Sequence, residues 1–330
     1  VRPGPRNLIT DVAGIAVGNA EDEAVRTGVT VVLPETAATA AGDIRGGGPG
    51  TRETDLLDPA CFVEQVHGLV LSGGSAFGLD AATGAMLWLA ERDRGLNIGD
   101  MAIPIVPSAI LYDLGNGGTK DWSAGLPYQR LARTACDAAG GDFAIGSAGA
   151  GYGAIAGDLQ GGLGSASSVT DAGLAVGALV AVNARGYTTL PGQKQFWAWP
   201  FEQDGEFGGL APPTGRAPLD VPVDRSLQPG MNTTIGVVAT SARLTKAEAQ
   251  RIAIMAQDGL ARAIRPLHTP SDGDSIFVLA TGEHELEEPR VFAIAKLGAL
   301  AADTVSRAVA RGVYEARATG DTPAWRDRYG

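Results

Sequence analysis

Cysteine is nearly missing from this chain: two residues, Cys61 and Cys136, among 330. They stand in unrelated contexts, so no disulfide framework is encoded and a reducing cytoplasm is the expected setting. Histidine is almost as scarce. His67, His268 and His284 lie in separate segments without metal-ligand spacing, which argues against a structural zinc site, and no cofactor is expected. Basic residues are outnumbered, 26 Lys and Arg against 37 Asp and Glu, for a formal charge of −11. With no Lys/Arg cluster to track phosphates, nucleic acid is not an expected partner. No apolar run reaches the roughly 20 residues of a membrane-crossing helix. The opening VRPGPRNLITDVAGIAVGN has no basic-then-apolar targeting pattern, so no membrane partner is expected either.

What the chain does have is glycine, 47 residues of it, with 19 prolines. That is about twice the usual share of glycine, but no G-x-y period is present, which excludes collagen. Hydrophobic residues at 45% and charged residues at only 19% exclude disorder and imply a large buried core. The length fits one large α/β domain or two smaller ones.

TGVTVVLP and HGLVLSGG read as strands, the second meeting a glycine turn and then an apolar helical pattern through SAFGLDAATGAMLWLAERDR. Between them, AGDIRGGGPGTRETDLLDP reads as a surface loop or as a pocket lining, since three consecutive glycines let the backbone approach closely. A helix is predicted through PYQRLARTACDAA, and the glycine-alanine region GSAGAGYGAIAGDLQGGLGSASS reads as ordered turns before the strand LAVGALVAVNARG. From Pro191 to Gly230 the composition turns to aromatics, acids and prolines, which predicts a long exposed connector over 191–230. After it, NTTIGVVATSARL is a strand, and Thr245 with Glu248 forms a T-x-x-E capping box for the next helix. SIFVLAT and residues 291–314 complete a β–α–β–α block, followed by a polar tail expected to fray after Ala318.

The polar constellations admit several chemistries. Ser75, in GGSAFG, lacks the G-x-S-x-G elbow of a serine hydrolase, and that turn is neither a dinucleotide nor a phosphate loop. Asp272 and Asp274 form a D-x-D pair that would suit either a divalent ion or a turn capping local N–H groups. Thr233 opens an apolar strand directly after the connector. A chain break between Asn232 and Thr233 would give that residue an amine beside its hydroxyl, the minimum apparatus of an N-terminal nucleophile. An α-amine titrates near 8, which suits proton transfer around neutrality.

The ordered set LSGGSAFGLDAATG (71–84), PSAILYDL (107–114), GSAGAGYGAIAG (146–157), AVNARG (181–186), MNTTIGVVATSARLT (231–245) and IRPLHTPSDGDSIFVLATG (264–282) resembles the self-processing N-terminal-nucleophile aminopeptidases and amidases. These include the L-aminopeptidase/D-esterase-amidases, the beta-peptidyl aminopeptidases and the endo-type 6-aminohexanoate-oligomer hydrolases. The resemblance spans nearly the whole chain. It implies a four-layer αββα sandwich acting as a single catalytic domain over 1–330, cut between Asn232 and Thr233 into fragments 1–232 and 233–330. It further implies Thr233 as nucleophile, Asn183 as oxyanion donor, Tyr112 as an active-site tyrosine, and Asp272 with Asp274 as the acids of the threonine branch. Small peptides, amides or esters are the implied substrates, and a homotetramer of αβ units the implied assembly. A catalytically silent homologue and a nylon-oligomer hydrolase are the alternatives. Two departures stand out: Asp158 where the nylon-oligomer enzymes carry a lysine, and Met231 where glycine is frequent.

Overall fold

The computed structural model describes residues 1–123, 125–215 and 232–330. Met231 and the later part of the expected connector, 216–230, lie outside them.

Two sheets carry the fold. The first has five strands in the order β1 (Ile15–Asp22), β2 (Thr27–Pro34), β6 (Leu69–Ser72), β9 (Ser108–Ile110) and β4 (Thr51–Arg52). The second has six: β12 (Gly162–Val169), β13 (Ala175–Asn183), β14 (Thr233–Ala242), β15 (Ser275–His284), β3 (Ala38–Ile44) and β5 (Gln65–Val66). Two hairpins stand apart, β7 (Leu96–Ile98) with β8 (Met101–Ile103), and β10 (Ile155–Ala156) with β11 (Leu159–Gln160). The main helices are α1 (Ala81–Ala90), α2 (Tyr128–Asp137), α3 (Lys246–Ala263) and α4 (Arg290–Tyr314), with a short α5 (Trp325–Tyr329) at the end.

The alternation of side chains along the strands builds three apolar layers. Leu179 and Ala181 on β13, Ile235, Val237 and Ala239 on β14, and Phe277 and Leu279 on β15 meet Val17, Val32, Leu69 and Leu71 of the other sheet. Their neighbours Val180, Val182, Val238, Ile276 and Val278 face the opposite way, onto Ile252, Leu260, Val305 and Val309 of α3 and α4. Val29, Val31, Leu33 and Val70 turn outward to α1 and α2. Helix, sheet, sheet, helix is the order of layers, as the sequence resemblance implied. All ten residues of β14 are buried, which explains its unbroken run of small and β-branched side chains. The capping box of α3 has both arms: Glu248 N donates to Thr245 Oγ1 at 3.3 Å and Thr245 N to Glu248 Oε2 at 2.8 Å.

Glycine lets these layers close. A Cβ on Gly164 of β12 would fall 1.8 Å from the carbonyl oxygen of Ala308, so α4 could not lie on the sheet with any side chain there.

Two expectations need correction. The described first part of the connector, 191–215, is not simply exposed: Phe196, Ala198 and Phe207 are buried. Nor does the tail fray, because Trp325 is buried and stacks on Phe196 at 5.6 Å, while its Nε1 donates to Lys194 O at 3.0 Å. The two segments bury each other's aromatics. A buried ion pair adds to this, Arg307 Nε to Glu206 Oε1 at 2.5 Å, with Arg307 Nη2 also donating to Asn7 Oδ1 at 2.8 Å.

Candidate active site

Sheet topology decides which chain segments meet. β13 and β14 are antiparallel, with Asn183 directly opposite Thr233, so the end of one strand lies beside the start of the other. β15 runs parallel to β14, which brings its N-terminal approach, Asp272 to Asp274, to the same edge. β3 is antiparallel to β15 and delivers the Gly46–Gly48 loop there as well. Four elements thus end at one place through strand direction alone.

The bond between Asn232 and Thr233 lies at the centre. Asn232 forms a parallel bridge with Asp272, and its carbonyl oxygen accepts from Gly273 N at 3.1 Å and from Thr233 Oγ1 at 2.5 Å. Both residues are buried, with Thr233 only 3% exposed. Thr234 N donates to Asp274 Oδ1 at 2.7 Å. Asn183 Oδ1 accepts from Ile155 N at 2.9 Å and its Nδ2 donates to Tyr112 O at 3.0 Å, a network that fixes which end of the amide is nitrogen. In these contacts Tyr112 contributes its carbonyl rather than its ring.

The two acids differ. Asp274 has both oxygens engaged, Oδ1 by Thr234 and Oδ2 by the backbone N–H and the ring Nδ1 of His268 at 3.1 and 2.9 Å. Asp272 Oδ2 accepts from Thr269 N at 2.8 Å, but Oδ1 has no partner among the described residues. Burial raises the Asp272 carboxyl above its ordinary range, and the charge of Asp274 raises it further; bonds from Thr269 and the Arg185 backbone only partly oppose this.

The glycine loop is a wall of the site. Arg45 N and Gly46 N donate to Asp274 O, and Gly48 N donates to Asp272 O at 2.8 Å. A Cβ on Gly46 would lie 2.3 Å from Asp272 O. Its arginines are engaged elsewhere, Arg45 with Asp43 and Arg52 with Thr83 and Met86. The GGS turn is a packing turn, since Asp113 Oδ1 takes the Gly74 N–H at 2.8 Å.

A model of peptidase family S58 matches residues 7–323. The chain belongs to peptidase family S58. Among its S58 relatives, an uncharacterized aminopeptidase of Mycobacterium tuberculosis is 44% identical over 344 residues, covering 98% of each chain. Another from Mycobacterium leprae is 42% identical, covering 97% of this chain and 94% of its own. More distant is a 6-aminohexanoate-oligomer endohydrolase of Paenarthrobacter ureafaciens, 28% identical over 86% of this chain and 77% of that one. The fold is that of the L-aminopeptidase D-Ala-esterase/amidase of Ochrobactrum anthropi, an N-terminal-nucleophile hydrolase variant, with a TM-score of 0.69 at 23% identity, covering 97% and 89% of the two chains. A Burkholderia beta-aminopeptidase gives the same TM-score at 23% identity over 94% and 87%.

Within this S58 chain the structure gathers Asn232, Thr233, Asn183, Asp272, Asp274 and the Tyr112 backbone. Of the two sequence readings of the glycine loop, pocket lining is the one that fits, whereas neither Gly273 nor the tie from His268 to Asp274 was singled out. His268 left only the signal of a histidine six residues before an acid. Asp158 does not present a free charge: at the turn of the β10–β11 hairpin it pairs with Arg328, and Arg328 Nη2 also donates to its carbonyl at 3.0 Å.

Proposed function

We propose that this chain is a self-processing N-terminal threonine hydrolase that acts as an aminopeptidase or amidase on short peptides, amino-acid amides and esters. One observation carries the reading: the Asn232–Thr233 bond is buried among a hydroxyl, a backbone N–H, a carboxamide and an unequal pair of acids. A covalent bond at this point would block the site until broken, and breaking it supplies the amine that the chemistry needs.

In the uncut chain the Thr233 hydroxyl bonds the oxygen of the carbonyl it would attack. Oγ1 forms a bond to the Asn232 carbon, the C–N bond breaks, and the hydroxyl proton ends on the Thr233 nitrogen. Gly273 N–H, already on Asn232 O, stabilises the charge that develops there. Water then hydrolyses the ester, leaving the Asn232 carboxylate, the Thr233 hydroxyl and a free amine. In the second reaction that amine takes the hydroxyl proton while Oγ1 attacks a substrate carbonyl; the substrate C–N or C–O bond breaks, the proton passes to the leaving amine or alcohol, and water hydrolyses the Thr233 ester to release the acid. Asn183, oriented by Ile155, donates to the substrate oxyanion, and Asp274 holds the start of β14 in place.

The aminopeptidase reading is supported by relatives of that name at 44% and 42% identity, against 28% for the nylon-oligomer enzyme. The test is a panel of amino-acid amides, β-peptides and 6-aminohexanoate oligomers run on the parent, Thr233→Ser and Thr233→Ala proteins. Hydrolysis from free amino ends, kept by serine and abolished by alanine, is the expected outcome. Turnover of the oligomers alone would move the assignment to the endohydrolase branch.

A further inference from the structure

His268 contacts the Asp274 carboxylate twice at one oxygen. Its backbone N–H and its ring Nδ1 both reach Oδ2, at 3.1 and 2.9 Å. A single residue achieves this because His268 sits in the left-handed region, at φ 52°. For a residue with a Cβ that conformation is unfavourable, and it persists where the surroundings hold it. The Asp274 side chain is 1% exposed and that of His268 23%, so the ring bridges from the buried acid toward the surface. On the other side of the carboxylate is Thr234 N, one residue from Thr233.

We propose that His268 is a positioning residue of this site, clamping the Asp274 carboxylate against the start of β14 and so fixing where Thr233 stands. The proposal rests on the reading of Thr233 as nucleophile. A carboxylate only accepts hydrogen bonds, so Nδ1 carries the hydrogen and the ring is either neutral with Nε2 bare or an imidazolium. Three donors thus hold the Asp274 carboxylate in place, and removing the ring donor leaves Oδ2 with the backbone N–H of His268 alone.

The titratable and charged groups around Asp274 are few. Asp272 lies on its own loop, and Arg45 on the glycine loop has its guanidinium on Asp43. Arg185 lies just past the end of β13, and its backbone N–H opposes the rise of the Asp272 carboxyl. Tyr112 is joined to the site through Asn183, and cleavage would add the Thr233 amine.

The test compares His268→Asn with His268→Gly. Asparagine tolerates the left-handed backbone and keeps an N–H donor at nearly the same position; glycine accepts the backbone but has no donor. Chain scission and amide turnover are followed from about pH 5 to 9, with kcat and KM separated. The glycine variant should lose about tenfold or more in kcat across that range with little change in KM. The asparagine variant should keep the parent profile. A glycine variant with the parent profile, or an asparagine variant as impaired as the glycine one, overturns the proposal. If the glycine variant does not fold, His268→Leu, which fills the ring's volume without a donor, takes its place. Thr233→Ala run alongside separates the two claims: activity retained there defeats the nucleophile reading, whereas an inactive Thr233→Ala with a parent-like His268→Gly defeats only the positioning role.

Discussion

Gly273 presses on Thr233 so closely that a Cβ placed on it would lie 2.7 Å from Thr233 Oγ1 and 3.0 Å from the Gly48 carbonyl oxygen. The same residue supplies the N–H on Asn232 O. Gly273→Ala should therefore push the hydroxyl aside and displace the backbone donor together. Loss of one such donor lowers rates by roughly 10²- to 10³-fold. A time course of chain scission should show a slowing of that order, with the fold retained by circular dichroism. Scission at the parent rate would contradict the crowding argument.

Asp272→Asn separates stability from activity. The native carboxyl is raised, so its contribution to stability is full below the unfolded value and is lost as pH climbs through the folded one. At neutral pH the raised carboxyl is therefore a burden on the fold. The amide removes that burden, so the variant should melt higher than the parent at pH 7 and lose the advantage in acid. Its hydrolytic rate should drop roughly 10²- to 10⁴-fold through loss of an acid–base group beside Thr233. Melting curves and rates measured across the same pH series check both halves.

The capping box of α3 gives an acid-side prediction of opposite sign. Bonds from Arg290, then the Thr245 cap, lower the Glu248 carboxyl from 4.5 to about 2. A lowered acid contributes stability above its unfolded value and loses it as pH falls through the folded one. Glu248→Gln should cost about 1 kcal/mol at neutral pH. The parent and variant melting curves should approach one another between about pH 4.5 and 2. A constant gap down to the lowest pH would show that the charge is not what holds the cap.

Glu206 tests how the connector is anchored. It binds Arg307 inside the protein, with side chains 6% and 4% exposed, and also approaches Arg311 Nε at 3.6 Å. Removing one member of a buried pair leaves the other charge uncompensated, typically a loss of about 3 to 5 kcal/mol. Glu206→Gln should lower the denaturant midpoint accordingly. Because Glu206 lies before the proposed cut and Arg307 after it, the variant should also release the fragments of the cut protein from each other at lower denaturant than the parent.

Local signals carried much of this fold into view. The ten-residue run of β14 and the T-x-x-E box of α3 each depend on residues close in sequence, and both stand as read. The pair Asp272 and Asp274 was visible as spacing, and the resemblance attached it to Thr233. What stayed hidden depends on partners far along the chain. Phe196 and Phe207 sit in a proline- and acid-rich stretch, and nothing local says that Trp325 will cover them. Asp158 stood out only as a departure from the lysine of the nylon-oligomer enzymes, because its partner, Arg328, lies 170 residues away. His268 was invisible for another reason: a left-handed backbone angle has no signature in a single histidine.

Whether Thr233 Oγ1 cuts the bond before it is decided most directly by intact mass. Freshly made and aged parent protein should resolve into two fragments dividing between Asn232 and Thr233, Thr233→Ser should yield the same pair, and Thr233→Ala should remain one uncut chain. Normal cleavage at that bond in Thr233→Ala, or an active parent that never divides, would contradict self-cleavage by Thr233.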